Sequence, residues 1–204
     1  MLRIEMKDVC QSFGSKCVFK DFSASFSSGT ITSLTGMNGA GKSTLLRLAG
    51  KLIFPETGEI IIREDDQVLA ADEYRARIGM ISPDLFFYTK LTAGENLRFF
   101  TQLRGLDLTM QEGKNFLQQV GLAAAGGLLE TFSTGMRQRL KLAVLLAVQA
   151  DVWLLDEPGS NLDASGRELT IHMAREAASQ GKLILWATND PQEVEAADAK
   201  IHLS

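Results

Sequence analysis

Gly36-Met37-Asn38-Gly39-Ala40-Gly41-Lys42-Ser43-Thr44 is the stretch that decides the fold. It satisfies the pattern G-x-x-x-x-G-K-[ST], in which glycines let the backbone curl so that successive N–H groups point inward at phosphate oxygens. The pattern requires a strand before it and a helix after it, and the sequence predicts both. Thr30 to Thr35 is a short β-rich run behind a Ser28-Gly29 turn. From Lys42 to Leu52 the spacing of Leu45, Leu46, Leu48, Ala49 and Leu52 is helical, and Pro55 with Gly58 ends the element. The helix N-terminus adds the positive end of its dipole. Lys42 is then placed to reach the β and γ phosphates of a nucleotide, and the Ser43 hydroxyl to ligate Mg²⁺.

Working outward, Arg3 to Val9, Cys17 to Phe19 and Asp21 to Phe26 read as an antiparallel β edge, and Glu59 to Leu69 as a hairpin. Ile78 to Ile81, Val152 to Leu155 and Leu183 to Trp186 are short continuous apolar runs, the pattern of strands buried on both faces of a parallel sheet. Between the first and second of these lie segments with helical periodicity. They are Thr92 to Leu103, Thr109 to Val120 and Thr134 to Gln149, with Thr92, Thr109 and Ser133 as N-caps. The expected architecture is one α/β domain. A P-loop core (RecA-like, mostly parallel sheet, N-terminal antiparallel edge) is built from residues 1–84 and 151–204, and a helical subdomain over 85–150 is inserted in it.

The 204 residues are 45% hydrophobic and 23% charged, the composition of a globular protein with a sizeable core. A formal charge of -4 leaves no excess of cations for a phosphate backbone, so no nucleic-acid partner is expected. Met1 to Lys7 alternates apolar and charged residues, unlike a secretory signal, and no run approaches the roughly 20 apolar residues of a membrane span. A membrane role would therefore need another chain. Cys10 and Cys17 read as reduced structural thiols. Glu193 to Asp198 reads as a solvated helical face.

Val152-Trp153-Leu154-Leu155-Asp156-Glu157-Pro158 is a buried strand ending in two carboxylates where open α/β sheets bind ligands. Asp156 suits the Mg²⁺ shell, and Glu157 the orientation or deprotonation of an attacking water. About twenty residues upstream, Phe132-Ser133-Thr134-Gly135-Met136-Arg137-Gln138-Arg139 opens a helix. With these motifs in this order the chain resembles the ABC transporter ATPase domains over its whole length. The resemblance implies ATP and Mg²⁺ as cofactors. It also implies that Ser133, Thr134, Gly135 and Met136 act in trans on the nucleotide of a second subunit, in a homodimer or a pseudo-dimer with a second ATPase subunit. Ser160 to Asp163 is similar to the segment that crosses that interface, with Asp163 in it. Phe13 stands where the family stacks a ring on adenine.

Two positions depart from the family. Pro83 stands in place of a Mg²⁺-contacting glutamine, for which Asp84 or a water is the substitute, and Asn189 replaces a histidine in Thr188-Asn189-Asp190. Asn189 can donate to the γ-phosphate but cannot carry a proton, so Glu157 takes the acid–base role alone. Within the family, Leu91 to Phe100, Asp156 to Asp163, Ala187 to Pro191 and the ending Ile201 to Ser204 are similar to the haem exporters of cytochrome c biogenesis. ATPases of drug or polysaccharide exporters share many of these features. The implied function is ATP hydrolysis driving integral membrane transporter subunits from the cytoplasmic face of the inner membrane. The alternative is a weakly hydrolysing, nucleotide-gated dimerisation module. Phe86-Phe87-Tyr88 is either a docking patch for the membrane partner or interior to the helical subdomain.

Overall fold

The computed structural model describes residues 1–204. Two sheets form the frame. In the first, β1 (Leu2–Phe13) and β2 (Lys16–Ser27) make a long antiparallel hairpin, extended by β4 (Thr57–Glu64) and β5 (Gln67–Val68) in the order β2-β1-β4-β5. The sequence breaks this hairpin into shorter pieces because the β1·β2 register shifts three times between Met6 and Ser12, and Asp8 and Asp21 take left-handed φ values of 49° and 50°. These are bulges, and they interrupt the alternation that marks a strand. The β4·β5 turn uses Asp65 and Asp66, both at positive φ, as a tight hairpin turn requires.

The second sheet is fully parallel, in the order β6-β7-β8-β3-β9. Its strands are β3 (Ile31–Thr35), β6 (Ile78–Ile81), β7 (Val152–Asp156), β8 (Leu183–Ala187) and β9 (Ala199–His202), the last not anticipated from sequence. Side chains alternate between two apolar clusters. Val152 and Leu154 of β7 face the cluster shared with the antiparallel sheet and α1 (Lys42–Ala49), while Trp153 and Leu155 face the cluster of the remaining helices. That is why these runs read as continuously apolar: both faces are covered.

Helix α1 stops three residues short of the predicted end because Gly50 caps it and Lys51 turns left-handed. A short α2 (Ala71–Ala76) precedes β6, and between β6 and β7 lie α3 (Ala93–Gln102), α4 (Met110–Gln119) and α5 (Thr134–Ala147). Thr92 and Thr109 each close a capping box with Glu95 and Glu112, and Ser133 Oγ accepts from the Met136 N–H at 3.2 Å, so all three predicted caps form. Apolar residues of α3 and α5 join the same cluster as Ile184 and Trp186 of β8, which welds the helical segment to one face of the sheet. The aromatic run divides: Phe87 packs edge-on against Phe100, whereas Phe86 is 79% exposed.

After β7 come α6 (Ala164–Ser179) and, beyond β8, α7 (Pro191–Glu195). Here one reading is corrected. The Glu193 to Asp198 run is solvated only in part: Glu195 and Asp198 are exposed, but Glu193 is only 2% exposed, and Asp198 also accepts from the Ile31 N–H at 2.8 Å. The interior supplies Glu193 with donors from Trp186 and Thr188, which lowers the cost of burying it.

Arg77, between α2 and β6, ties the two sheets together. It donates to both carboxylate oxygens of Glu64 on β4 at 2.8 Å and to Asp151, just before β7, at 2.6 Å. The guanidinium hydrogen bond holds the Glu64 carboxyl below its usual 4.5. Discounted for partial exposure, Arg77→Met is expected to destabilise the fold by about 1–2 kcal/mol. A depressed carboxylate contributes stability above its unfolded pKa and loses it as pH falls through the folded value. The difference in Tm between wild type and Arg77→Met, measured by calorimetry, should therefore be largest near neutrality and shrink at pH values below the usual carboxylate range.

Candidate nucleotide site

The 36–41 loop leaves β3 and enters α1 with Gly36, Gly39 and Gly41 at φ values of 141°, 85° and 101°. At two of these a side chain has no room. A Cβ on Gly36 would lie 2.3 Å from the Leu203 carbonyl oxygen, and one on Gly41 2.6 Å from Val18 of β2. The loop is thus pinned between the last strand's exit and the first hairpin. Lys42 is buried and donates to the carbonyls of Gly36 at 2.6 Å and Met37 at 3.4 Å, so its ammonium spans the loop it would complete around a phosphate.

A cleft of about 370 Å³ brings the motifs together. Asn38, Gly39, Gly41, Lys42, Ser43 and Thr44 form its floor, Asp156 and Glu157 stand at one side, and Phe13 closes another. Two further lining residues escaped sequence reasoning. Val18 packs against the loop, and Lys16 donates to the Gly39 carbonyl at 2.9 Å. A lysine in a hairpin turn carries no sequence signal, and only the fold over of the hairpin brings it here. Phe13 keeps half its surface exposed, as a ring available for stacking must.

Asp156 ends β7 and is buried, whereas Glu157 is exposed at φ 49° with its N–H bonded to the Ala187 carbonyl at 2.9 Å. The left-handed turn swings the second carboxylate out of the strand line and over the cleft. One hydroxyl, Ser43, and one carboxylate, Asp156, facing the same space make a donor set that fits Mg²⁺, which retains several waters and takes the remaining ligands from phosphate. Asp84 does not line this cleft. Its carboxylate, 72% exposed, pairs with Arg47 on α1 at 3.1 Å.

A second cleft of about 280 Å³, with no hydrophobic residue in its lining, adjoins the first and shares Glu157 with it. Asn189 lines it, as do Gly159, Thr188 and the buried Glu193, the last also missed from sequence. Ser133 and Thr134 lie exposed at the α5 N-terminus and line neither cleft, and neither do Gly135 and Met136. Gln138 of that helix donates to the Pro158 carbonyl at 2.7 Å, and a Cβ at Gly135 would lie 3.0 Å from the Asn161 carbonyl oxygen. Asp163 caps α6 through the Gly166 N–H and pairs with Arg139 at 2.9 Å. The Gly166 N–H and Ser165 hydroxyl, with Arg139, hold its carboxyl below the usual range.

The sequence profile of the family described as ABC transporter matches residues 19–160. Among curated proteins, the chain is 34% identical over 170 residues to "Probable multidrug ABC transporter ATP-binding protein YbhF" of Escherichia coli K12, covering 82% of this chain but 29% of that protein's length. It is 30% identical over 205 residues to "Cytochrome c biogenesis ATP-binding export protein CcmA" of Brucella abortus, covering 96% of this chain and 89% of that one. The solved dimeric structure of MJ0796, a bacterial ABC transporter cassette, superposes with a TM-score of 0.83 at 25% identity, over 98% of this chain and 94% of that chain.

With its carboxylate committed to Arg47, Asp84→Ala is expected to leave the Mg²⁺ concentration that half-saturates ATP turnover within about twofold of wild type, whereas Asp156→Ala should raise it by an order of magnitude or more. A Mg²⁺ titration of steady-state turnover measures both.

Proposed function

Since this chain belongs to the ABC transporter ATP-binding family, we propose that it binds and hydrolyses ATP to power a membrane transporter. The observation that carries this reading is one cleft holding the phosphate loop, Lys42 and Ser43 together with the Asp156-Glu157 pair. In it, Phe13 stacks on the adenine, the loop N–H groups and the Lys42 ammonium bind the phosphates, and Ser43 with Asp156 would hold Mg²⁺. When bound, that ion neutralises charge developing on the β and γ oxygens. Glu157 orients the attacking water and takes its proton. Asn189, beside it in the second cleft, donates to the γ-phosphate without moving a proton.

Ser133 and its neighbours complete the site of a second copy, or of a second ATPase subunit, in a nucleotide-sandwich dimer with Asp163 near the interface. Their exposure at a helix N-terminus outside the chain's own cleft supports this arrangement, as does the similarity to a cassette solved as a dimer. No helix of the chain is long and apolar enough to cross a membrane, so integral membrane subunits supply the pathway and the exposed Phe86 and Tyr88 are where they dock. The protein then works on the cytoplasmic face of the inner membrane. Export of the cytochrome c biogenesis type is the preferred cargo reading, supported by a similarity that spans nearly the full length of both chains. The match to the multidrug relative spans only 29% of that protein's length.

Steady-state hydrolysis with Mg²⁺, with dimerisation followed by light scattering, tests the reading. Turnover should rise with protein concentration, and Glu157→Gln should lose about a hundredfold or more of it while accumulating an ATP-bound dimer. Wild type that binds ATP and dimerises without turnover would favour a nucleotide-gated module instead.

A further inference from the structure

Glu193 is a buried acid beside the water-activating cleft that neither the phosphate loop nor the Asp156-Glu157 pair uses. Its Oε2 accepts from the Trp186 indole N–H at 3.1 Å and from the Thr188 hydroxyl in a short contact. Its Oε1 is buried with no hydrogen-bond partner, and it lies so close to Gly159 that a Cβ there would stand 1.9 Å away. A buried carboxyl with one oxygen accepting two hydrogen bonds and the other pressed unpartnered on a backbone calls for an explanation. Besides Trp186 it touches the two arms of the cleft: Thr188, next to Asn189, and Gly159, two residues past Glu157.

We propose that Glu193 is the positioning residue of this cleft, a spacer whose two oxygens set the separation between the Asn189 arm and the Glu157 arm. The inference rests on the reading of Glu157 as the water-activating residue. Gly159 is glycine because the spacer occupies the volume of its side chain. The charged groups that act on Glu193 are Asp190, at the cap of its own short helix, and Arg167 of α6, which also bonds the Leu162 carbonyl at 2.8 Å and approaches Asp190 at 3.8 Å. Burial, reinforced by Asp190 and opposed by the Thr188 and Trp186 hydrogen bonds and by Arg167, leaves the Glu193 carboxyl above its usual range.

Glu193→Ala, Glu193→Gln and Gly159→Ala test this, with kcat and KM for ATP, the Kd of a fluorescent ATP analogue, and Trp186 emission in a Trp153→Phe background without nucleotide. Displaced arms are expected to cost Glu193→Ala and Gly159→Ala about ten- to a hundredfold in kcat. Nucleotide Kd should stay within about twofold, and Glu193→Gln, which keeps the shape and one acceptor, should recover kcat to within about threefold of wild type. Trp186 emission should titrate above the usual carboxylate range in wild type, lose that titration in Glu193→Gln, and shift in Gly159→Ala. Unchanged kcat in Glu193→Ala, a Gln variant as slow as the Ala variant, or a parallel loss of nucleotide affinity would overturn the proposal. Should wild type not hydrolyse ATP, the reading of Glu157 fails. The emission then decides the spacer by itself: a Trp186 signal indifferent to Gly159→Ala rules it out.

Discussion

Two registers in the parallel sheet carry the rest of the structure: Asp156 of β7 and Leu34 of β3 both lie opposite Ala187 of β8. Because the three strands run the same way and end level, the segments that follow them leave from one edge, which is where α/β sheets bind ligands. Backbone hydrogen bonds continue the registration past the strand ends. The Glu157 N–H reaches the Ala187 carbonyl at 2.9 Å, the Thr188 N–H the Leu34 carbonyl at 3.1 Å, and the Leu203 N–H the Thr35 carbonyl at 2.8 Å. Phosphate loop, acidic pair and Asn189 arm are thereby set to one another by main chain, before any side chain contributes.

That registration explains the unusual conformations at the edge. A strand's period of two would point Glu157 away from the side occupied by Asp156, and the left-handed φ of 49° redirects it. Such a residue costs on the order of 1–2 kcal/mol, offset locally by the bond from its own N–H. Gly36 meets the same edge from the other side, with the Leu203 carbonyl filling the volume a side chain would need. The strands beneath this edge, β7 and β8, hold no left-handed residue and are buried along their whole length.

What could be read in the sequence follows from the range of the forces involved. The phosphate loop, the caps at Thr92, Thr109 and Ser133, and the doubly covered strands are local signals: a glycine pattern, a hydroxyl three residues before its N–H, an apolar run. The long β1·β2 hairpin was not legible as one element, since Asp8 and Asp21 occupy bulges whose existence depends on the pairing itself. Glu193 is the opposite failure. In a run of acids it looks solvated, and only the turn back onto Trp186 and Thr188 at the end of β8, together with the distant Gly159, makes it an interior residue. Lys16 and Val18 at the nucleotide cleft were hidden for the same reason. Asp84, chosen because it follows Pro83, sits in sequence beside the position it was to replace but in space beside Arg47.

The helical segment is fastened to this edge in a way that bears on the proposed dimer. Lys141 of α5 donates to the Ser82 carbonyl at 2.8 Å at the end of β6, and Arg104 donates to the Ala76 carbonyl at 2.6 Å at its beginning. Gln138 holds the first turns of α5 to Pro158, immediately after Glu157, and Gly135 lies against Asn161. The Ser133 end of α5 is therefore bound to the segment that follows Glu157 in its own chain, and bringing it to the chain's own phosphate loop would break the buried Gln138 bond and lift the helix from a shared apolar cluster. A helix N-terminus with free N–H groups and an exposed hydroxyl attracts an anion, yet the chain's own nucleotide cleft does not include it. In the proposed dimer, a phosphate presented by a second subunit would meet that geometry without disturbing either attachment. The same ties join the helix that carries Ser133 to Pro158, the residue after Glu157.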